Sequence, residues 1–413
     1  MIGPDERDDC DKSYAALSWA LLAGLFLQPF LPLSTPAVHL RRPVLPAVDG
    51  LRFAAAMHVV LIHSVATRWL PQPVYSAVRA GYTSTSALFI LSGFILTWVY
   101  AGGDGRLRVP RRAFLVSRLS RLFPLLLLSQ LLVLPLWPRT HEALGVWVPL
   151  ALGLAGVQAW WPRMATVLNT PAWAVSVFCL SYLSFPWLLA RFRALPARGL
   201  LLALLAAWWL CLLPGIVYHL PGEMTPLGMQ TLYTFPLLRL PEFVFGVLLG
   251  RWLVMHGPLP PRQAAWAASI GAAGWLGWIA VASRFPIELI HNGLLAPVQG
   301  LLIVGLAYGG GVPARVLAWR PLRFLGERSL AIYLLHLPVL VWMQTLGLMP
   351  RESRVVSVAA FLVFVALTLA ASVVASDWFV DPASRWLRRR FGGAGARGPT
   401  PAILPVPVVG PSA

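Results

Sequence analysis

The chain has 413 residues, of which 58% are hydrophobic and 12% charged. Soluble domains carry about 25% charged residues, and apolar runs recur here along almost the whole length, so the composition excludes a soluble globular protein and leaves no stretch for a second, soluble domain. The formal charge is +18, nearly all of it arginine with Lys12 the one lysine, and the arginines sit between apolar runs; that placement points to a cytosolic membrane surface with anionic headgroups and away from nucleic acid as a partner.

Residues 1–44 read as an N-terminal tail. Asp5, Glu6, Asp8, Asp9 and Asp11 precede an apolar run, 14–33, whereas a signal peptide starts with basic residues. With Pro29 and Pro32 inside it, that run is an extra first helix, a segment lying at the interface, or the product of a misplaced start codon. A helix crosses a bilayer with roughly 20 apolar residues. Runs of this kind follow near 50–68, 80–101, 122–137, 171–190, 199–214, 231–253, 264–282, 292–309, 323–346 and 355–376. The expected fold is therefore all-α: a polytopic membrane helix bundle of about ten transmembrane helices over 45–376. A cytosolic tail, 377–413, follows, basic at first and then rich in Gly and Pro.

A further apolar run, 144–160, is shorter, and the loops decide its status. The segment between the second and third spans holds Arg106, Arg108, Arg111, Arg112, Arg118 and Arg121 against Asp104 alone, which makes it a cytosolic loop. If 144–160 does not cross, the loops with Arg191, Arg193 and Arg198, with Arg262, and with Arg315 and Arg320 all fall inside, as does the tail with Arg385, Arg388, Arg389 and Arg390. Arg351 and Arg354 then fall outside and fit less well. The balance favours a re-entrant or interfacial 144–160. Cys10, Cys179 and Cys211 form neither a disulfide framework nor a metal-binding pattern.

The first span is the most informative. Asp49, Arg52, His58 and His63 are ionisable groups at or within a membrane helix, where such groups face a cavity or a partner. Arg52 and His63 are eleven residues apart, about three turns, and share a face with Asp49; His58 points elsewhere. Ala54, Ala55 and Ala56 permit close helix packing. From the helix alone, His63 is as readily a packed histidine satisfied by a carbonyl as a catalytic one. The two histidines diverge and no ligand cluster accompanies them, so no metal is expected.

The run Asp49-Gly-Leu-Arg52, followed by His63, resembles the first-span signature of the acyltransferase family 3 membrane enzymes, including its Arg-x10-His spacing. Other stretches agree in order: Ser86 to Leu96 with Ser92-Gly93-Phe94 at its centre, Arg118-Leu-Ser-Arg121-Leu-Phe-Pro124, Asn169-Thr-Pro-Ala-Trp173 with Ser176, Tyr182 and Phe185-Pro186 after it, Leu240-Pro-Glu242-Phe-Val-Phe-Gly246, and Ser329 through Tyr333 and His336 to Pro338. The resemblance covers roughly residues 45–345. One departure matters. The family's fourth landmark reads Trp-Ser-Leu-Ser-x-Glu; counted from Trp173, the Glu position is Phe178, and Ala174 replaces the first Ser. If that Glu assists the histidine in relatives, another acid substitutes here or activity is impaired, and Glu242 is the candidate substitute.

The resemblance implies an O-acyltransferase that moves an acyl group from a cytosolic acyl-CoA-type donor to a hydroxyl of a glycan, glycolipid or secondary metabolite. It implies no permanently bound cofactor and a place in the bacterial plasma membrane. Acyl transfer to a hydroxyl needs a base, and His63 is the best one, with Arg52 and Asp49 on its face. No Gly-x-Ser-x-Gly elbow supports a serine nucleophile. Arg118 and Arg121 lie three apart at a helix start, which suits either phosphate binding or ordinary anchoring; the resemblance favours donor binding. Ser92, Glu242, Tyr333 and His336 are candidates for lining the same cavity, although Tyr333 and His336 read equally as a structural polar pair. The rival class is a non-catalytic homologue that transports or flips a lipid-linked glycan.

Overall fold

A lipid environment offers the backbone no hydrogen-bonding partner, so apolar runs of this length fold as helices that satisfy their own N–H and C=O groups. The computed structural model describes residues 44–64, 71–139, 145–220, 225–257, 259–349 and 358–392. Within them the one extended pairing is an isolated bridge, Ala101–Leu107. The helices up to the middle of the chain are α1 (Pro46–Ser64), α2 (Gln72–Arg79), α3 (Tyr82–Tyr100), α4 (Arg111–Val133), α5 (Trp147–Leu154), α6 (Trp173–Phe192), α7 (Ala197–His219) and α8 (Pro226–Thr234). There follow α9 (Pro236–His256), α10 (Pro261–Val281), α11 (Ile287–His291), α12 (Ala296–Ala307), α13 (Gly311–Leu317), α14 (Arg320–Gly326), α15 (Ser329–Thr345), α16 (Val358–Val374) and α17 (Asp381–Phe391). The run 14–33 and the Gly/Pro-rich end of the tail lie outside the described residues.

Among the described residues, eight helical segments are long and apolar enough to cross a membrane, and the pair α14 and α15, bent by 73°, makes a ninth. The tenth expected span, α1, is a 19-residue helix; Asp49, Arg52, His58 and His63 lower its hydropathy, and it is not among the eight. The 144–160 run forms α5, a helix of eight residues, then short 3-10 turns. Such a helix rises about 12 Å, against a hydrocarbon core of about 30 Å, so it does not cross as a helix. The loops agree. Arg251, near the end of α9, donates to the carbonyl of Gly103 at 2.9 Å and to that of Arg193 at 3.3 Å. The arginine-rich loops after α3 and after α6 therefore share one end of the bundle, as a non-crossing 144–160 requires.

Small residues set how closely the helices approach. The most extensive packing is between α3 and α9, where a methyl group on Gly93 would strike the carbonyl oxygen of Phe243 and one on Gly246 would strike that of Ile90. Buried Ile90, Leu91, Phe94, Phe245, Leu248 and Leu249 fill the space around this contact. Helix α1 is enclosed by α3, α13, α14 and α15. Gly50 meets the carbonyl of Leu317, and Gly326 meets that of Asp49. Arg328 grips Asp377 through Nη2 at 2.7 and 3.0 Å and Nε at 3.1 Å. That bidentate pair ties the start of α15 to the π-helical stretch Ala375–Val380, from which α17 continues.

Gly246→Ala is expected to cost about 1–3 kcal/mol through overpacking. Gly277→Ala, on α10 where an added methyl group would meet nothing within 4 Å, is expected to be neutral or stabilising by up to about 1 kcal/mol. Thermal unfolding of the two variants in detergent checks this; equal midpoints would remove close backbone contact as the determinant of the α3–α9 interface.

Candidate active site

His63 occupies the last turn of α1 and His336 the middle of α15. Their ring centres are 5.1 Å apart, and Nε2 of His336 lies 3.3 Å from Nδ1 of His63. His336 is fully buried, while His63 is exposed. The partners fix the tautomers. Nδ1 of His336 sits 2.7 Å from the carbonyl of Tyr333, and Nδ1 of His63 sits 2.9 Å from the carbonyl of Val59. A carbonyl only accepts, so each Nδ1 carries the proton. Neutral His336 then offers the lone pair on Nε2 to the Nδ1–H of His63. Nε2 of His63 is left unprotonated at the exposed end of the pair, the form a general base requires.

The frame around His336 is built from its own sequence. Pro338 has no N–H, so the carbonyl of Leu334 loses its helical partner; Nδ2 of Asn169 donates to that carbonyl at 2.9 Å. Leu168, just before, adopts φ 66°, a strained setting for leucine, and carries the chain to buried Asn169. His58 is differently employed. Its Nε2 donates to the carbonyl of Ala77 at 2.7 Å, and its Nδ1 accepts from the hydroxyl of Ser84 at 2.9 Å. Both ring nitrogens are engaged in holding α1 to α2 and α3.

Toward the other end of α1, Asp49 and Arg52 form an ion pair at 3.4 Å. The rise from Arg52 to His63 is roughly 16 Å. Nη2 of Arg118 donates to the Tyr100 hydroxyl at 2.6 Å, with the guanidinium 4.9 Å from the ring centre. Arg121, one turn further on, is exposed and makes no hydrogen bond or ion pair among the described residues. Arg52 and Arg118 both act on it electrostatically. Tyr182, hydrogen-bonded to Ser92, is within the electrostatic reach of Arg118 and Arg52 as well. The expected residues thus fall into a cationic group, Arg52, Arg118 and Arg121 with Asp49 and Ser92, and a histidine group, His63 and His336, with the Tyr333 ring 6.2 Å from that of His336.

Glu242 belongs to neither. Its Oε2 pairs with Nη2 of Arg239 at 2.9 Å, and its Oε1 accepts from Ser86 at 2.6 Å. Arg239 is fully buried and also donates to the carbonyl of His291 at 2.7 Å and to the side-chain oxygen of Asn292. The Tyr233 ring stacks on His291 at 3.9 Å. No hydrogen bond, ion pair or ring contact joins Glu242 to His63 among the described residues, so its carboxylate is committed to Arg239 and Ser86. At the position where the resemblance leads one to expect Glu, Phe178 is packed against Phe89 at 5.2 Å and Tyr182 at 5.9 Å. Sequence reading missed Arg239, His291 and Asn292; the available signal was Arg239 in an apolar run three residues before Glu242.

The family described as "Acyltransferase domain" matches residues 45–377. Among curated proteins, the chain is 29% identical to the acyltransferase MdmB of Streptomyces mycarofaciens, covering 88% of this chain and 97% of that protein. It is 23% identical to the peptidoglycan O-acetyltransferase OatA of Listeria monocytogenes over 72% of this chain and 50% of that protein. It is 24% identical to the O-acetyltransferase OatA of Staphylococcus aureus over 73% of this chain and 51% of that protein. The chain thus spans nearly all of the first relative and about half of the other two. No solved structure matches it.

Glu242→Ala leaves Arg239 buried without its counter-charge and is expected to destabilise the protein by about 3–5 kcal/mol. Arg239→Ala combined with Glu242→Ala is expected to recover part of that loss. Thermal unfolding in detergent reads both; a single Glu242 variant as stable as wild type would show that the pair does not hold the bundle.

Proposed function

The chain belongs to the acyltransferase family 3 and is an O-acyltransferase, and we propose that it uses His63 as the general base in moving an acyl group from acyl-CoA to a hydroxyl of a glycan, glycolipid or secondary metabolite. The observation that carries this reading is the hydrogen-bonded pair of exposed His63 and buried His336, whose carbonyl partners leave Nε2 of His63 without a proton. Nε2 takes the proton of the acceptor hydroxyl as its oxygen attacks the thioester carbonyl carbon. The C–O bond forms and the C–S bond breaks. The departing thiolate takes the proton from His63, leaving an ester and a free thiol. While His63 is cationic, the Val59 carbonyl and Nε2 of His336 both accept from its Nδ1–H and stabilise that charge.

Arg118 and Arg121 receive the donor's phosphates, which suits guanidinium groups at helical spacing beside the bilayer surface. By the positive-inside rule that end is cytosolic. The roughly 16 Å of helix between Arg52 and His63 is a depth that a pantetheine arm can cover. The acceptor then approaches from the outer side of a bacterial plasma membrane. The name of the Listeria monocytogenes relative, a peptidoglycan O-acetyltransferase, favours a cell-wall sugar as acceptor. Phe178 leaves the histidine without the family's carboxylate, and His336 takes over the orienting role.

The test is incorporation of radiolabelled acetyl groups from acetyl-CoA into cell-wall glycan and glycolipid acceptors by the protein in nanodiscs. His63→Ala is expected to lower the rate by a factor of about 10²–10⁴. His336→Ala should lower kcat while leaving the donor KM in place, and His58→Ala should alter mainly stability. Undiminished transfer by His63→Ala at matched folded protein would refute the assignment.

A further inference from the structure

The C-terminal helix α17 begins after the residues that the family matches end, at 377, yet it is not an isolated tail. It packs along the start of α4. The hydroxyls of Ser120 and Ser384 are 3.0 Å apart, and Nε of Arg112 donates to the carbonyl of Phe391 at 3.1 Å. Ser120 sits between Arg118 and Arg121 on its helix. Ser384 and Arg388 are one turn apart on α17, and Nη1 of Arg388 donates to the Ser384 hydroxyl at 2.7 Å. Two hydrogen bonds therefore link the Arg388 guanidinium to the turn that bears Arg118 and Arg121.

The charges at this place do not balance. Arg388 and Arg118 act on one another and on Arg121, and Arg52 acts on Arg121 too; Asp381 is the opposing charge there, and Asp49 is paired with Arg52. Arginines that act on one another repel unless an anion lies between them. Arg121 is exposed and unpaired among the described residues. Planar guanidinium forks carried by two packed helices suit the non-bridging oxygens of phosphate esters.

We propose that α17 is part of the donor site, with Arg388 joining Arg118 and Arg121 to bind the phosphate groups of an acyl-CoA donor. This rests on the donor reading above. Arg388 is then a binding residue supplied from outside the family-matched region, and the C-terminal helix fixes where the donor's nucleotide lies.

The experiment compares acetyl-CoA with acetyl-pantetheine, which carries the same thioester and no phosphate, in nanodiscs of phosphatidylcholine alone and with phosphatidylglycerol. Arg388→Gln should raise KM for acetyl-CoA roughly 10- to 100-fold and leave kcat and the use of acetyl-pantetheine unchanged, with Arg388→Lys partly restoring affinity. Arg389→Gln, at an exposed position on the same helix, should match wild type. An unchanged KM for acetyl-CoA overturns the proposal, as does equal impairment with both donors, which would make α17 a structural prop. An effect seen only when phosphatidylglycerol is present also overturns it and assigns the arginines to lipid headgroups. If wild type neither transfers from acetyl-CoA nor binds coenzyme A, the donor reading itself fails and the role of Arg388 falls with it; normal wild-type transfer with an indifferent Arg388 variant defeats the further inference alone.

Discussion

A carbonyl oxygen can accept a hydrogen bond but never donate one, and that constraint orders the histidine pair. Tyr333 sets the proton of His336 on Nδ1, Val59 does the same for His63, and the lone pair of His336 then faces the proton of His63. What remains is one unprotonated nitrogen, Nε2 of the exposed His63. The arrangement exists only because α1 and α15 lie side by side at a fixed depth. Gly50 and Gly326 let backbone meet backbone around the start of α1. Pro338 frees the Leu334 carbonyl for Asn169, which ties α15 to the loop before α6.

Charge is handled in two opposite ways within the same bundle. Arg239 is sealed inside, with Glu242, Asn292 and a backbone carbonyl meeting its donors and aromatic rings of Phe89 and Trp173 over its face. The charges there answer one another, although among the described residues Nε of Arg239 and Nδ2 of Asn292 are buried without a hydrogen-bond partner. Arg52, Arg118, Arg121 and Arg388 gather at the other extreme, with few acids and with Arg121 open to solvent. A site for an anion is one where positive charge is left incompletely matched. On the reading proposed above, the roughly 16 Å of helix between Arg52 and His63 suits a donor whose charged and reactive ends are far apart.

Much of the fold was legible because the bilayer restricts the choices: apolar runs of sufficient length become helices, and arginine marks the loops on one side. The short α5 and the shared end of the loops near Gly103 and Arg193 follow from that reading. Helix phase likewise separated His63 from His58, whose ring is fully engaged by Ala77 and Ser84. What sequence could not reveal were the long-range partners. His336 was a candidate for the same cavity, but its direct contact with His63, 273 positions away, was not legible, and Arg239 meets Ser86 and His291 from two other helices. Glu242 was an intramembrane acid in want of a role, and only the neighbouring Arg239 shows that its charge is already matched. The aromatic setting of Phe178 is similarly a property of the rings around it rather than of its own position.

Nitrogen-15 NMR of the histidine side chains, with His63 assigned by comparison with His63→Ala, reads this tautomer directly. A protonated-type signal at Nδ1 of His63 and an unprotonated-type signal at Nε2, altered in His336→Ala, is the predicted result. A proton on Nε2 of His63 in the resting protein would contradict the base assignment and the histidine pair on which it rests.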